Sequence, residues 1–166
     1  MSEYPALMDQ GGRWPNDLRE WVDERTLISF VLNALHSAEC EGASSSQSEP
    51  LPPGLPRVLL SLLLYSYVIG LRSSEQIVDA IEADSQPRYL CANTTLCENE
   101  LRGFRRHHRA VLEQSLTRLL ERIWNARPEA ARSWVPPVDS PLVLAAAAAQ
   151  SRINEAIFAD TISLDR

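Results

Sequence analysis

The sequence predicts an all-α fold: a compact multi-helix domain with a helix-turn-helix-like unit around a central apolar helix. Three observations lead there. The run from Pro56 to Gly70 is apolar on almost every side, the pattern of a helix that other helices surround. Ser73 followed by Gln76, and Thr95 followed by Glu98, are capping boxes that open helices. No segment alternates polar and apolar residues strongly enough to read as a strand.

Residues 1–20 read as an irregular lead, broken by Gly11-Gly12 and Pro15. Asp23 is placed to cap a helix from Glu24 to about Glu39. Leu27, Phe30, Val31, Ala34 and Leu35 there recur at helical spacing. Residues 41–54, rich in Ser, Pro and Gly, read as a flexible loop. The second helix takes Pro56 in its first turn, where a missing N–H costs little, and ends at Gly70. Burial of each of its leucines contributes roughly 1.5–3 kcal/mol. A short helix follows from Ser74 to Asp84, with Ile77, Ala80 and Ile81 inward; Pro87 interrupts, and Tyr89-Leu90-Cys91 form a helical turn. A further helix is expected over about Leu96–His107. The stripe Val111, Leu112, Leu116, Leu119, Leu120, Ile123 and Trp124 continues from it, either unbroken or bent near His107–Arg109. Trp134-Val135-Pro136-Pro137 is a stiff connector, and Ser140-Pro141 opens an Ala-rich helix to about Ala159. The divisions are therefore a lead (1–20), a helical domain (21–127), and a connector with a C-terminal helix (128–166).

At 166 residues, 45% of them hydrophobic and 23% charged, the chain has the composition of a single soluble domain. No apolar run reaches the roughly 18 residues of a membrane span, and Met1-Ser2-Glu3-Tyr4-Pro5 does not resemble a secretory signal. Three cysteines without a CxxC pair suit a reducing, cytoplasmic setting. Charge is unevenly spread. Residues 1–100 carry six Arg against fifteen acids (−9), residues 101–132 eight Arg against three Glu (+5), and residues 133–166 two Arg against four acids (−2), which together give the net −6. An acidic chain with one basic segment points to a localised anionic partner rather than indiscriminate polyanion binding. The same pattern suits a helix whose arginines are solvated or paired with nearby glutamates.

Two capped helices separated by a compact turn region suit a unit whose second helix enters the major groove. That helix would project Glu98, Asn99, Arg102, Arg105, Arg106 and Arg109. Asn reads adenine and Arg reads guanine through paired hydrogen bonds. His107 and His108 have no Ser, Cys or carboxylate at catalytic spacing, so a phosphate-facing role suits them better than acid–base chemistry. Glu98 and Glu100 oppose such a contact.

Arg57-Val58-Leu59-Leu60-Ser61-Leu62-Leu63-Leu64-Tyr65-Ser66-Tyr67-Val68-Ile69-Gly70-Leu71-Arg72-Ser73-Ser74, followed by Phe104-Arg105-Arg106-His107-His108, resembles the InsH-like N-terminal domain of bacterial insertion-sequence transposases. Trp21-Val22-Asp23-Glu24-Arg25 is similar to the segment that opens that domain, and the resemblance spans about Trp21 to Trp124. It implies recognition of transposon ends in double-stranded DNA, with DNA-contacting roles for Arg72, Arg102, Arg105 and Arg106. Together with Asn99, His107 and Arg109 these form the expected DNA-binding set. In the family, an "LDGT"-like strand with the first catalytic carboxylate comes soon after this domain; here a Pro-broken connector and an Ala-rich helix stand in its place. The expectation is a relic or domesticated end-binding protein: not an enzyme, without cofactor, and partnered by DNA, a second copy of itself or a separate catalytic subunit. The alternative is a helical protein-interaction module without DNA binding. Cys91, Cys97, His107 and His108 can be assembled into a zinc site only on paper, because Cys-x5-Cys is unusual spacing for structural zinc; no metal is expected.

Overall fold

The computed structural model describes residues 14–42, 55–129 and 140–164, and among them the protein is all-α. A short 3-10 turn, Leu18–Glu20, precedes seven α-helices: α1 (Glu24–Gly42), α2 (Leu55–Ile69), α3 (Ser74–Ala83), α4 (Ser85–Leu90), α5 (Glu98–His107), α6 (Arg109–Ala126) and α7 (Pro141–Leu164). The loop expected over 41–54 and the connector at Trp134–Pro137 lie outside the described residues, apart from the last two residues of α1.

α2 occupies the centre. Every residue from Leu59 to Ile69 is buried, as its apolar circumference requires. α1, α4, α5 and α6 pack around it; α7 packs chiefly along α6, and α3 bridges α4, α5 and α7. α6 carries two apolar faces in one helix, burying Leu112, Leu116, Leu119, Leu120, Ile123 and Trp124. The alanines of α7 at positions 145, 149 and 156 are fully buried, and such small side chains let helix axes approach closely.

The local signals explain most of the boundaries. The Asp23 carboxylate accepts from the Thr26 amide (3.1 Å) and hydroxyl (2.6 Å), fixing the start of α1. At α3 the capping box forms: Ser73 Oγ accepts from the Gln76 amide (3.1 Å), and Gln76 Oε1 accepts from the Ser73 amide (3.3 Å). α2 ends in a Schellman turn, in which the Leu71 amide donates to the Ser66 carbonyl at 2.9 Å and Gly70 takes φ +98°.

Three boundaries differ from expectation. Pro87 does not interrupt a helix; it lies in the first turn of α4, where no intrahelical N–H bond is lost. α5 begins at Glu98 rather than near Leu96. Its reciprocal cap comes from Glu100, whose Oε2 accepts from the Cys97 amide at 2.8 Å, so the box expected from Thr95 is two residues out of place. Between α5 and α6 the chain breaks at His108 (φ −122°, ψ 31°), so of the two alternatives for the stripe the structure has the bent one, within the expected 107–109. α7 also runs five residues beyond Ala159.

Two glycines test this description. A Cβ on Gly70 would meet Asn16 Nδ2 at 2.5 Å in a left-handed conformation, whereas a Cβ on Gly103, inside α5, would meet nothing within 4 Å. Gly70→Ala is expected to lose at least about 1–2 kcal/mol, and Gly103→Ala to gain roughly 0.5–1 kcal/mol. Urea denaturation midpoints of the two variants check both signs.

Candidate functional site

The expected DNA-binding residues divide into two groups. Asn99, Arg106, His107 and Arg109 are exposed. Arg106 and His107 end α5 and Arg109 begins α6, so these three sit at one corner of the α5–α6 pair. Arg109 Nη2 donates to Asn154 Oδ1 of α7 at 2.9 Å, while Arg106 and His107 have no ion pair among the described residues. His108 is half-buried, its ring 4.7 Å from that of Phe104.

Arg72, Arg102 and Arg105 do not project as expected. Arg105 falls four residues after Leu101 and next to Phe104, on the buried face of α5, and is only 4% exposed. Its Nε donates to Tyr67 Oη at 2.6 Å, and its Nη1 donates to Asp160 Oδ2. Arg102 stands one turn after Glu98, to which its Nη2 is bonded at 2.8 Å; its Nε lies 3.8 Å from Asp160 Oδ2. Arg72 is bonded through Nε to Glu155 Oε2 (2.9 Å), through Nη1 to the Tyr67 carbonyl (2.9 Å) and through Nη2 to Asn16 Oδ1 (3.2 Å). The correction has one physical reason. Asp160 on α7 and the free carbonyls ending α2 supply acceptors inside the fold, with Glu98 and Glu155 pairing Arg102 and Arg72 at its edge, and a guanidinium enters it where such acceptors are fixed.

Asp160 is the centre of this arrangement. Its Oδ1 accepts from the Ser74 amide at 2.7 Å, and its Oδ2 accepts from Ser74 Oγ at 2.8 Å as well as from Arg105. The carboxylate thus sits on the first free N–H of α3, where a helix N-terminus favours negative charge. Burial pushes the Asp160 carboxyl up, but the bonds from Ser74 and Arg105 outweigh burial and hold it below the usual carboxylate range. Burial pushes the Tyr67 phenol up to about 12, against the pull of the Arg105 guanidinium. Arg152 completes the interior set by donating to the carbonyls of Tyr67 (2.5 Å), Asn16 (3.1 Å) and Pro15 (2.6 Å). Burial, and then the neighbouring Arg72 charge, bring its guanidinium down to about 10.

Arg152, Glu155 and Asp160 escaped the sequence reading. Their signal was present in α7, where Arg152 and Asp160 fall in register with the apolar stripe Ala145, Ala149, Ile153 and Ala156. Among the described residues no group of three or more His, Cys, Asp and Glu side chains is placed to hold a metal ion, and no helix is long and apolar enough to cross a membrane. Arg88 spends its charge locally, capping the end of α3 through the carbonyls of Ile81 and Glu82.

Comparison with protein-family models, with curated proteins and with solved structures finds no match for this chain.

The charge knot makes a pH-dependent prediction. The Asp160 carboxyl titrates below its unfolded value in the folded protein, so its contribution to stability is fully present above about pH 4 and is lost as pH falls through the lowered value. The stability gap between wild type and Asp160→Asn is expected to be widest near neutrality and to narrow toward about pH 3, as read by urea denaturation across pH. Arg105→Ala, which strands Asp160, is expected to cost about 3–5 kcal/mol at neutral pH.

Proposed function

We propose that the chain is a duplex-DNA-binding domain of the transposase end-recognition type, without catalysis of its own. One observation carries this reading. Arg106 and Arg109, with His107 beside them, form an exposed cationic corner on a chain whose net charge is −6. The helices that present it are anchored beneath by the Arg105–Asp160 pair. A localised positive surface on an acidic body favours one polyanionic partner over nonspecific adhesion. The resemblance of the Leu-rich helix, the Arg-Ser-Ser turn and the Phe-Arg-Arg element to transposase N-terminal domains supports the same partner. In this reading Arg106, His107 and Arg109 meet backbone phosphates, which position the protein. Asn99, exposed in the first turn of α5, is placed for base contact. Arg72, Arg102 and Arg105 act beneath the surface by positioning α3, α5 and α7.

A second reading, a helical interaction module, is favoured by a different observation. α7 exposes Leu142 and Val143 near its start and Ile157, Phe158, Ile162 and Leu164 near its end. Antiparallel pairing with a second copy about a two-fold axis would set each start against the other's end. Dilution in sedimentation velocity distinguishes this reading, because dimer formation lost in Phe158→Asp without loss of DNA binding assigns α7 to assembly alone.

The DNA reading is tested by band shift with terminal inverted repeats from the source genome against random duplex. A clear preference for the repeats is expected, with affinity falling as salt rises. Arg106→Ala with Arg109→Ala is expected to reduce the slope of log K against log salt by about 0.9 for each phosphate contact removed, while leaving thermal stability within about 0.5 kcal/mol of wild type. Equal affinity for repeats and random DNA at low salt, unchanged in the double variant, would refute it.

A further inference from the structure

Asp160 satisfies its cationic neighbours incompletely. Its two oxygens receive the Ser74 amide, the Ser74 hydroxyl and Arg105 Nη1. Two further buried nitrogens of the same cluster, Arg105 Nη2 and Arg102 Nε, have no hydrogen-bond partner. Arg105 is more than nine-tenths buried, so its unmatched nitrogen is costly where it stands. A carboxylate offers two oxygens to this constellation; a phosphate offers more, in tetrahedral array. The N-terminus of a ten-residue helix, a serine hydroxyl and two guanidinium groups make up the donor set, a chemistry suited to phosphate. Without Asp160, Glu98, paired with Arg102, is the one acid left against the two arginines among the described residues. The net charge of +1 matches a single phosphodiester.

The segment that carries Asp160 is lightly held. After Ala156, Asp160 is the only buried side chain of α7 among the described residues; Ile157, Phe158, Thr161, Ile162 and Leu164 are exposed, and Ala159 and Ser163 half-buried. Residues 157–164 therefore depend on this one side chain for their attachment, and a ligand that takes its place releases a segment with few buried apolar contacts of its own. The earlier part of α7 stays anchored on α6 through Leu144, Ala145, Ala149, Ile153 and Ala156.

We infer that the α3 N-terminus, Arg102 and Arg105 form a phosphate site that Asp160 fills in cis, and that residues 157–164 are an autoinhibitory latch which a DNA backbone phosphate displaces. The inference rests on the DNA-binding reading for its physiological ligand, but the site itself answers to inorganic phosphate alone. Opening the latch adds Arg102 and Arg105 to the outer corner at Arg106 and Arg109, extending the cationic surface along α5.

The test uses the full chain as wild type, Asp160→Asn, and Asp160→Asn combined with Arg105→Met. Thermal denaturation is followed in inorganic phosphate against chloride at matched ionic strength. The Asp160→Asn melting temperature is expected to rise with phosphate in a saturable manner, the wild type to rise far less, and the double variant not at all. Asp160→Asn is also expected to bind duplex DNA at least about fivefold more tightly than wild type, with a salt slope steeper by about one. Absence of a phosphate response in Asp160→Asn, or an equal response in wild type, overturns the site. A phosphate response with DNA affinity unchanged from a DNA-binding wild type overturns the latch. If no variant binds DNA while the phosphate response persists, the site stands and the DNA-binding reading fails. Hydrogen exchange on the wild type keeps the inference testable should Asp160→Asn not fold. DNA is expected to accelerate exchange across residues 157–164 while protecting the Ser74 amide, and no change at either place overturns the proposal.

Discussion

The constraint on which this fold depends is the complete enclosure of α2. A helix with eleven consecutive buried residues, Leu59 to Ile69, has no face to offer water, so α1, α4, α5 and α6 must close around it. Enclosure brings polar groups inside that need partners. The Tyr67 hydroxyl finds one in Arg105, the Tyr65 hydroxyl in Glu24 at 2.8 Å, and the Tyr67 carbonyl in Arg72 and Arg152. Each arginine brought in for this purpose then requires a fixed counter-charge or acceptor of its own. Asp160 and Glu155 on α7 provide the carboxylates. The apolar helix in the middle of the sequence thus determines why its last helix carries an acid, Asp160, on an otherwise alanine-rich inner face.

The Leu-rich helix, the turn after it and the Phe-Arg-Arg element meet in space. Tyr67 from the Leu-rich helix, Ser74 from the turn after it, and Arg105 from the Phe-Arg-Arg element converge near Asp160, while Arg72 of the same turn reaches the Tyr67 carbonyl. Residues of one motif therefore divide their labour. Arg105 points inward and holds α5 to α2 and α7, while Arg106, one position on and about 100° around the helix, faces solvent. The charge that would reach a duplex and the charge that secures the framework are neighbours in sequence and opposites in environment.

The fold was legible in the sequence wherever a local rule had no competitor. The caps at Asp23 and Ser73, the stop at Gly70 and the apolar stripe of α6 each determine their own neighbourhood. The start of α5 was misplaced because Glu98 and Glu100 offer two overlapping capping frames, and only the Cys97 amide, bonded to Glu100, distinguishes them. Placing Arg105 was harder. Its spacing from Leu101 puts it in the core, yet its charge suggests the surface. What decides between them is a carboxylate fifty-five residues away. Long-range pairing of this kind has no local signature, so a site built on it is visible only once the helices are assembled.

Trp14, Trp21 and Trp124 lie with ring centroids 5.1 to 5.7 Å apart. They join the approach to α1 with the end of α6. Indoles so close share their excited states, so the trio is an intrinsic optical gauge. Its paired circular-dichroism bands and emission colour report whether the two distant stretches of chain remain clasped, with no added label.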